Sequence, residues 1–109
     1  MNLCEYALNS MGYFLLRIAF TGGFPNEVEE EIYEFLNKLA EENDPLEEKM
    51  FYDCLAYELR EGSYLEPEFC DEFEQKLKEF LDEFCVCDKV RQNILCCVEI
   101  AKKEKEQYS

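Results

Sequence analysis

The cysteines are the residues of this chain whose type and spacing could support chemistry. Cys85 and Cys87 are followed by the adjacent pair Cys96 and Cys97, and four thiolates can hold a structural zinc ion tetrahedrally. The spacing argues against such a site, because a helix over this segment separates the two pairs by ~12–14 Å along its axis. Cys96 and Cys97 would also point ~100° apart around that helix. We therefore expect no metal site.

Disulfides are also unexpected, although the chain has seven cysteines. The number is odd, and the segment after Met1 lacks the basic residues of a secretory signal. Most of the cysteines fall at apolar positions of predicted helices, where a free thiol behaves as a small hydrophobic side chain. We expect reduced thiols that fill the core of a cytoplasmic protein.

Side chains suited to catalysis are scarce. The chain has no histidine, which general acid–base and nucleophilic mechanisms use most often. Carboxylates are numerous, but a glycosidase-like pair needs a cleft in which one carboxyl is desolvated. Glycine-rich phosphate loops and calcium loops are absent from the sequence. We expect a non-enzymatic protein with no catalytic residue and no cofactor.

The charge distribution indicates a binding function. The 109 residues carry a net charge of −15, and residues 27–88 hold 22 acidic against five basic side chains. Such a charge disfavours nucleic acids and anionic membranes and favours a basic partner. Maintenance of solubility is the alternative explanation. A hydrophobic content of 48% and an aromatic content of 15% exclude a disordered acidic tail.

Helix punctuation and apolar periodicity predict an all-α fold, a compact bundle of about five helices in one acidic domain over residues 1–109. The predicted helices cover about residues 3–20, 26–42, 45–62, 66–84 and 88–105, and residues 102–109 are expected to be a frayed or flexible tail. The punctuation consists of a glycine stop at Gly22-Gly23, a capping box of Asn26 and Glu29, the Asp44-Pro45 and Glu66-Pro67 starts, and an N-cap at Asp88. An alternative arrangement is two similar helical hairpins on an apolar first helix. A shift of 45 residues superposes apolar positions of the second helix on those of the fourth, and a shift of 44 residues does the same for the third and fifth helices.

Each helix after the first has an apolar stripe that predicts its buried face. The stripes are Val28, Ile32, Phe35, Leu36 and Leu39 in the second helix; Leu46, Met50, Cys54 and Tyr57 in the third; Phe69, Phe73, Leu77, Phe80, Leu81 and Phe84 in the fourth; and Val90, Ile94, Cys97 and Ala101 in the fifth. The first helix is apolar nearly all round, so we expect it to be central to the bundle, with a dimer interface as the alternative.

On the second and fourth helices, acidic residues line the face opposite the apolar stripe. We call these the α2 line, which is Glu30, Glu34 and Glu41, and the α4 line, which is Glu68, Asp71, Glu79 and Asp82. Each line has about one carboxylate per ~5.4 Å turn. Two such helices side by side would present one charge per ~2.7 Å, against ~1.7 Å for duplex DNA. Lysines four residues after Glu34, Glu72 and Glu74 would partly neutralise these faces.

Two functions follow as hypotheses. The first is an inhibitor or decoy of a basic, nucleic-acid-binding protein such as a host-defence nuclease, because carboxylates can occupy an Arg/Lys groove built for phosphates. Small acidic inhibitors of restriction or RNA-guided nucleases work in this general way; we recognise no family in these residues. The alternative is a helical adaptor or homodimer that uses the apolar first helix and an aromatic patch of Phe51, Tyr52, Tyr57 and Tyr64. Neither function involves direct contact with nucleic acid or a membrane.

Overall fold

The residues that the structure describes form five helices around one core. The computed structural model describes the backbone of residues 3–19, 25–41 and 45–108, and the side chains of residues 11–19, 25–41 and 45–107. The helices are α1 (Leu3–Ala19), α2 (Asn26–Glu41), α3 (Pro45–Glu61), α4 (Cys70–Glu83) and α5 (Asp88–Tyr108). These ranges contain no strand, so the predicted all-α bundle of about five helices is confirmed. None of the described helices has the length and apolar character needed to span a bilayer.

Aromatic side chains from four helices meet at Phe14 of α1. Its ring makes edge-to-face contacts with Phe35 of α2, Phe51 of α3 and Phe80 of α4, with centroid distances of 6.2, 6.0 and 5.6 Å. In the backbone, α1 and α5 both pack on α3, while α2 contacts α1 and α5, and α4 contacts α1. The described half of α1 is therefore central, as predicted, although Tyr13 and Leu16 on it are exposed.

The predicted stripes of α2 and α5 are the faces that the fold buries. In α2, Val28 is partly buried, and the other four members of the stripe are fully buried. All four members of the α5 stripe are buried. In α4 the middle of the stripe is buried, but Phe69 is 50% exposed and Phe84 is only partly buried.

The predicted buried face of α3 is wrong. Leu46, Met50 and Tyr57 are 79%, 42% and 54% exposed, and the buried side chains of α3 are Phe51, Leu55 and Leu59. Both sets have helical spacing, so periodicity alone does not distinguish them. The contacts that decide are tertiary, because the ring of Phe51 packs against those of Phe14 and Phe35.

The predicted aromatic patch is wrong for the same reason. Phe51 has no exposed surface, and Tyr52 and Tyr64 are partly buried against the core. The Tyr64 ring packs on Phe73 with a centroid distance of 5.3 Å. Only Tyr57 of the four is an exposed side chain, and the Arg60 guanidinium lies 5.2 Å from its ring centroid.

Helix α4 begins later than predicted. The Glu66-Pro67 pair starts a separate turn, in which the Glu66 carbonyl accepts hydrogen bonds from the amides of Phe69 and Cys70 at 2.9 Å each. Phe69 is the N-cap, with φ −117° and ψ −14°, and no side chain caps the helix. As a result Glu68 lies in the turn before α4, not on the helix.

The starts of α2 and α5 are each one residue from the predicted cap. The Pro25 carbonyl accepts from the amide of Glu29 at 3.3 Å, and the Cys87 carbonyl accepts from that of Arg91 at 2.9 Å. Pro25 and Cys87 therefore occupy the N-cap positions that were predicted for Asn26 and Asp88. Gly22, Gly23 and Asp44, the other predicted punctuation, lie outside the described residues.

Helix α4 ends in a Schellman motif with cysteine in the position that usually holds glycine. The Val86 amide donates to the Leu81 carbonyl at 3.0 Å and the Cys85 amide to the Asp82 carbonyl at 3.1 Å. Cys85 has φ 51°, in the left-handed region where a side chain costs energy. This motif turns the chain toward α5.

Helix α5 continues to Tyr108, three residues past its predicted end and through most of the segment predicted to be a frayed tail. Lys105 Nζ donates to the carbonyls of Arg60 and Gly62 at 3.2 Å each and pairs with Glu66 at 2.9 Å. The end of α5 thus anchors the turn segment between α3 and α4.

A buried cation joins α1, α2 and α4. Arg17 is 2% exposed; its Nε lies 2.6 Å from Glu29 and one terminal nitrogen 2.9 Å from Glu83. The guanidinium carbon is 5.7 and 5.4 Å from the ring centroids of Phe80 and Phe84. Burial opposes the charge, but the hydrogen bonds to Glu29 and Glu83 outweigh it and raise the pKa of Arg17. The sequence contained no signal for this pairing, because its members are far apart along the chain.

Candidate functional site

The acidic lines are at the surface. All seven predicted partner-binding residues are exposed: Glu30, Glu34, Glu41, Glu68, Asp71, Glu79 and Asp82. The exposure of six of them follows from the burial of the opposite faces of α2 and α4 in the core, while Glu68 lies in the turn before α4. The carboxylates are therefore accessible to a partner.

Most of these carboxylates have no cation beside them. Asp82 pairs with Arg91 at 2.7 Å, and Glu79 accepts a hydrogen bond from Gln75 at 3.3 Å. Glu79 and the other five make no ion pair with any residue that the structure describes. Both lines consequently retain most of their negative charge.

Internal pairing of the lysines differs partly from the prediction. Lys76 pairs with Glu72 at 3.1 Å, as expected for an i,i+4 pair. Glu74, however, pairs with Lys102 of α5 in place of Lys78. This ion pair links α4 to α5 and leaves the α4 line unaffected, since neither residue belongs to it.

The two lines do not form the doubled row that would approach the charge density of DNA. Helix α2 packs on α1 and α5 and α4 packs on α1, and no extensive α2–α4 packing is present among the described residues. Arg17 bridges the two helices at one point, between Glu29 near the start of α2 and Glu83 at the end of α4. The α2 line alone spans ~16 Å at ~1.5 Å per residue. Its charge density is therefore about half of that expected for two adjacent lines.

A cleft with a volume of about 540 Å³ opens beside the acidic surface. It lies between the C-terminal ends of α1 and α3, the turn segment after α3 and the first half of α4. Among the described residues its lining is apolar and aromatic, with three charged side chains: Leu16, Ala19, Glu58, Gly62, Ser63, Tyr64, Phe69, Glu72, Phe73 and Lys76. The volume is within the ~300–1,000 Å³ typical of ligand pockets.

The charges in the cleft are unequally satisfied. Lys76 Nζ donates to the Ala19 carbonyl at 2.8 Å, at the end of α1, and pairs with Glu72. Glu58 has no ion pair in the described part of the chain. Partial burial, and then the charge of Glu58, raises the pKa of Tyr64. The cleft therefore combines an unpaired carboxylate with aromatic walls.

Sequence reasoning did not identify this cleft. Its aromatic walls come partly from Tyr64 and Phe69, which belong to the turn segment after α3 and not to a helix stripe. Gly62 makes the arrangement possible, because a Cβ there would lie 2.9 Å from two ring carbons of Tyr64. The sequence signal that could have indicated the cleft is the pair of aromatic residues, Tyr64 and Phe69, that follows Gly62 and Ser63.

Three of the six cysteines whose side chains the structure describes pack in or against the core, Cys97 fully buried and Cys54 and Cys70 partly buried, whereas most of them were predicted there. Cys97 is buried and its thiol lies 3.5 Å from the Tyr52 carbonyl, whereas its neighbour Cys96 is exposed. Cys85 and Cys87 are exposed as well, because they lie in the turn between α4 and α5. Burial, with the nearby charges of Cys96 and Asp53, raises the pKa of Cys97 to about 12. No group of three or more cysteine or carboxylate ligands comes together among the described residues.

Comparison with known proteins shows no relative: no protein-family model matches the chain, and no curated protein and no solved structure is significantly similar to it. Function therefore has to be inferred from the surface and its charges.

Proposed function

We propose that this chain is a non-enzymatic binding protein whose carboxylate-lined helix faces engage a basic protein surface. The best candidate is the phosphate-binding groove of a nucleic-acid-binding protein such as a host-defence nuclease. The protein would then be an inhibitor that competes with DNA or RNA. A basic groove offers Arg and Lys donors, which form charge-assisted hydrogen bonds with carboxylates as they do with phosphates.

The unpaired state of the acidic lines carries this proposal. Six of their seven carboxylates have no cation among the described residues, while eight of the 11 basic side chains form ion pairs with described carboxylates. The chain's own cations therefore do not neutralise these faces. A cationic partner would gain contacts there, and its approach would be accelerated by the net charge of −15.

The first test is capture of partners from native cell lysate on the tagged full chain, with elution by a salt gradient. We expect a nucleic-acid-binding protein that elutes at a few tenths molar salt and that added DNA or RNA displaces, since exposed charge pairs are screened over ~10 Å at 0.1 M salt. Capture of salt-resistant proteins only would refute the decoy function.

A matched pair of variants then locates the surface. Triple replacement of the α2 line by lysine changes the net charge from −15 to −9 and should abolish capture without unfolding the domain. The control replaces three exposed acids outside the lines, Asp53, Glu61 and Glu99, by lysine for the same charge change. Each of these acids has an ion pair with a lysine or arginine, so urea unfolding of both variants must show that the fold is kept. Equal loss in both variants would mean that only net charge matters, and that the α2 line is not the binding face.

A second candidate function is a helical adaptor, favoured by the apolar side chains that α3 leaves exposed. Leu46, Met50 and Tyr57 lie on one face of α3, and Leu46 is 79% exposed. Apolar docking persists at high salt, where charge-dominated binding weakens. A captured partner, or a homodimer, that survives 1 M salt (Debye length ~3 Å) and is lost on replacement of Leu46 and Met50 by serine would establish this function in place of the first.

A further inference from the structure

We propose that the cleft between α1, α3 and α4 binds an arginine side chain of the basic partner, together with an apolar residue beside it. This inference rests on the proposed function only in that the partner is basic. The inference requires the partner to present an arginine with an apolar neighbour, and the contact of that arginine with the cleft lies outside the acidic lines.

The protein itself contains the arrangement that holds an arginine. Arg17 is bound by two glutamates and lies against the rings of Phe80 and Phe84. The cleft repeats this set of groups without a guanidinium: it has the carboxylates of Glu58 and Glu72 and the rings of three aromatic residues, Tyr64, Phe69 and Phe73. Both sites thus place carboxylates beside aromatic rings, but in the cleft Glu72 is already paired with Lys76, so Glu58 is the carboxylate that remains for a guanidinium.

Glu58 is the group that gives the cleft its preference for a cation. Glu72 is already paired with Lys76, whereas Glu58 has no ion pair with a described residue. An anionic ligand would be repelled by Glu58, while the charge of Glu72 is balanced by Lys76. Glu58 is exposed in the free protein, and a purely apolar ligand that covered its carboxylate would remove its water without supplying a hydrogen-bond donor, which is unfavourable.

Arginine fits better than lysine because of the aromatic walls. A planar guanidinium can stack on a ring and donate two hydrogen bonds to one carboxylate, while an ammonium is a compact and strongly hydrated charge. The volume of about 540 Å³ exceeds what one side chain fills, so an apolar neighbour can occupy the part lined by Leu16 and Phe69. Phe69 is half exposed and available for that contact.

The experiment is a titration of the full ¹⁵N-labelled chain with a blocked tetrapeptide of alternating leucine and arginine, followed by NMR. The matched probe has citrulline in place of arginine, which keeps the shape and removes the charge. We expect shifts of the amide resonances of Glu58, Gly62, Tyr64 and Glu72 with the arginine peptide. The citrulline peptide should bind about tenfold more weakly or worse, as for loss of a charged hydrogen bond.

Three variants separate the cleft from general charge. Glu58→Gln should weaken the arginine peptide by about tenfold, and Phe69→Ala should weaken both peptides. Glu31→Gln removes the same charge from an exposed position of α2 outside the cleft and should leave affinity within about twofold, since distant surface charges are screened. Urea unfolding of each variant shows whether its fold is kept.

Several results would overturn the inference: no binding, shifts spread over all acidic surfaces, or equal weakening by Glu58→Gln and Glu31→Gln. These results leave the proposed function intact if the captured partner still depends on the α2 line. Conversely, the peptide could bind in the cleft while the lysate capture yields no partner that salt displaces. That result would support the arginine site and refute the decoy function.

Discussion

Replacing Glu29 with glutamine should destabilise the fold much more than replacing Glu83, although both carboxylates hold Arg17 at similar distances. The two nitrogen–oxygen distances are 2.6 Å for Glu29 and 2.9 Å for Glu83. The side chains differ in exposure, however, at 29% for Glu29 and 56% for Glu83, while that of Arg17 is 3% exposed. The loss of either charge leaves the buried guanidinium less well compensated.

Exposure sets the expected magnitudes. Breaking a fully buried ion pair costs ~3–5 kcal/mol, and a hydrogen bond to a charged group contributes ~1.5–3 kcal/mol. The Glu29 side chain is 29% exposed, although its Oε2 is buried without a hydrogen-bond partner among the described residues. Glutamine can still accept one hydrogen bond, so we expect about 2 kcal/mol for Glu29→Gln. The Glu83 pair is more than half exposed and should contribute less than ~1 kcal/mol.

Urea unfolding followed by circular dichroism measures the difference. With an m-value of ~1–3 kcal/mol/M, Glu29→Gln should lower the midpoint by roughly 1 M and Glu83→Gln by less than ~0.5 M. Glu31→Gln is the control, because it relieves the same self-repulsion in a chain of net charge −15 without touching Arg17. Equal midpoints for the Glu29 and Glu83 variants, or a larger effect at Glu83, would refute the claim that burial controls the strength of these pairs.

Three further predictions concern α3 and the cysteines. Leu55→Ala should lower the free energy of unfolding by ~2–5 kcal/mol, whereas Leu46→Ala should change it by less than ~0.5 kcal/mol; thermal or urea unfolding measures both. The reverse order would mean that the face of α3 predicted from the sequence is the buried one. Cys97, with a pKa of about 12, should resist alkylation by iodoacetamide at pH 8 because the thiolate is the reactive form, while Cys96 should react readily. Mass spectrometry measures the labelling of both cysteines, and equal labelling would contradict the buried environment of Cys97. Cys85→Gly should raise the free energy of unfolding by ~0.5–1 kcal/mol, because glycine adopts the φ of 51° without a Cβ clash, and a loss of stability would argue against the strained turn.

The number of helices and the buried faces of α2 and α5 follow from local sequence. Helical periodicity and start signals act over a few residues, so the stripe from Ile32 to Leu39 identifies its own face without knowledge of a partner helix. Start residues were less well predicted, since Pro25 and Cys87 precede α2 and α5 by one residue, and a turn at Glu66 delays α4. Helix ends depend on a single hydrogen bond, and neighbouring positions differ little in energy.

The exposure of the acidic lines was also predictable, because a face opposite a buried stripe must meet solvent. Their separation was not. Whether Glu34 and Asp71 lie on adjacent helices depends on how α2 and α4 pack around α1, and no local pattern encodes that arrangement. The internal pairing of the cations likewise joins residues as distant as Lys102 and Glu74.

By itself the sequence established an acidic, five-helix, all-α chain with few residues suited to catalysis, since composition and period are properties of the chain alone. Tertiary packing decided which face of α3 is buried, that Arg17 is enclosed by Glu29 and Glu83, and that Glu58 borders an aromatic cleft. In each of these cases the local alternatives have similar spacing and similar energy. The choice between them is made by contacts between side chains that are distant in the chain, such as Phe51 with Phe14.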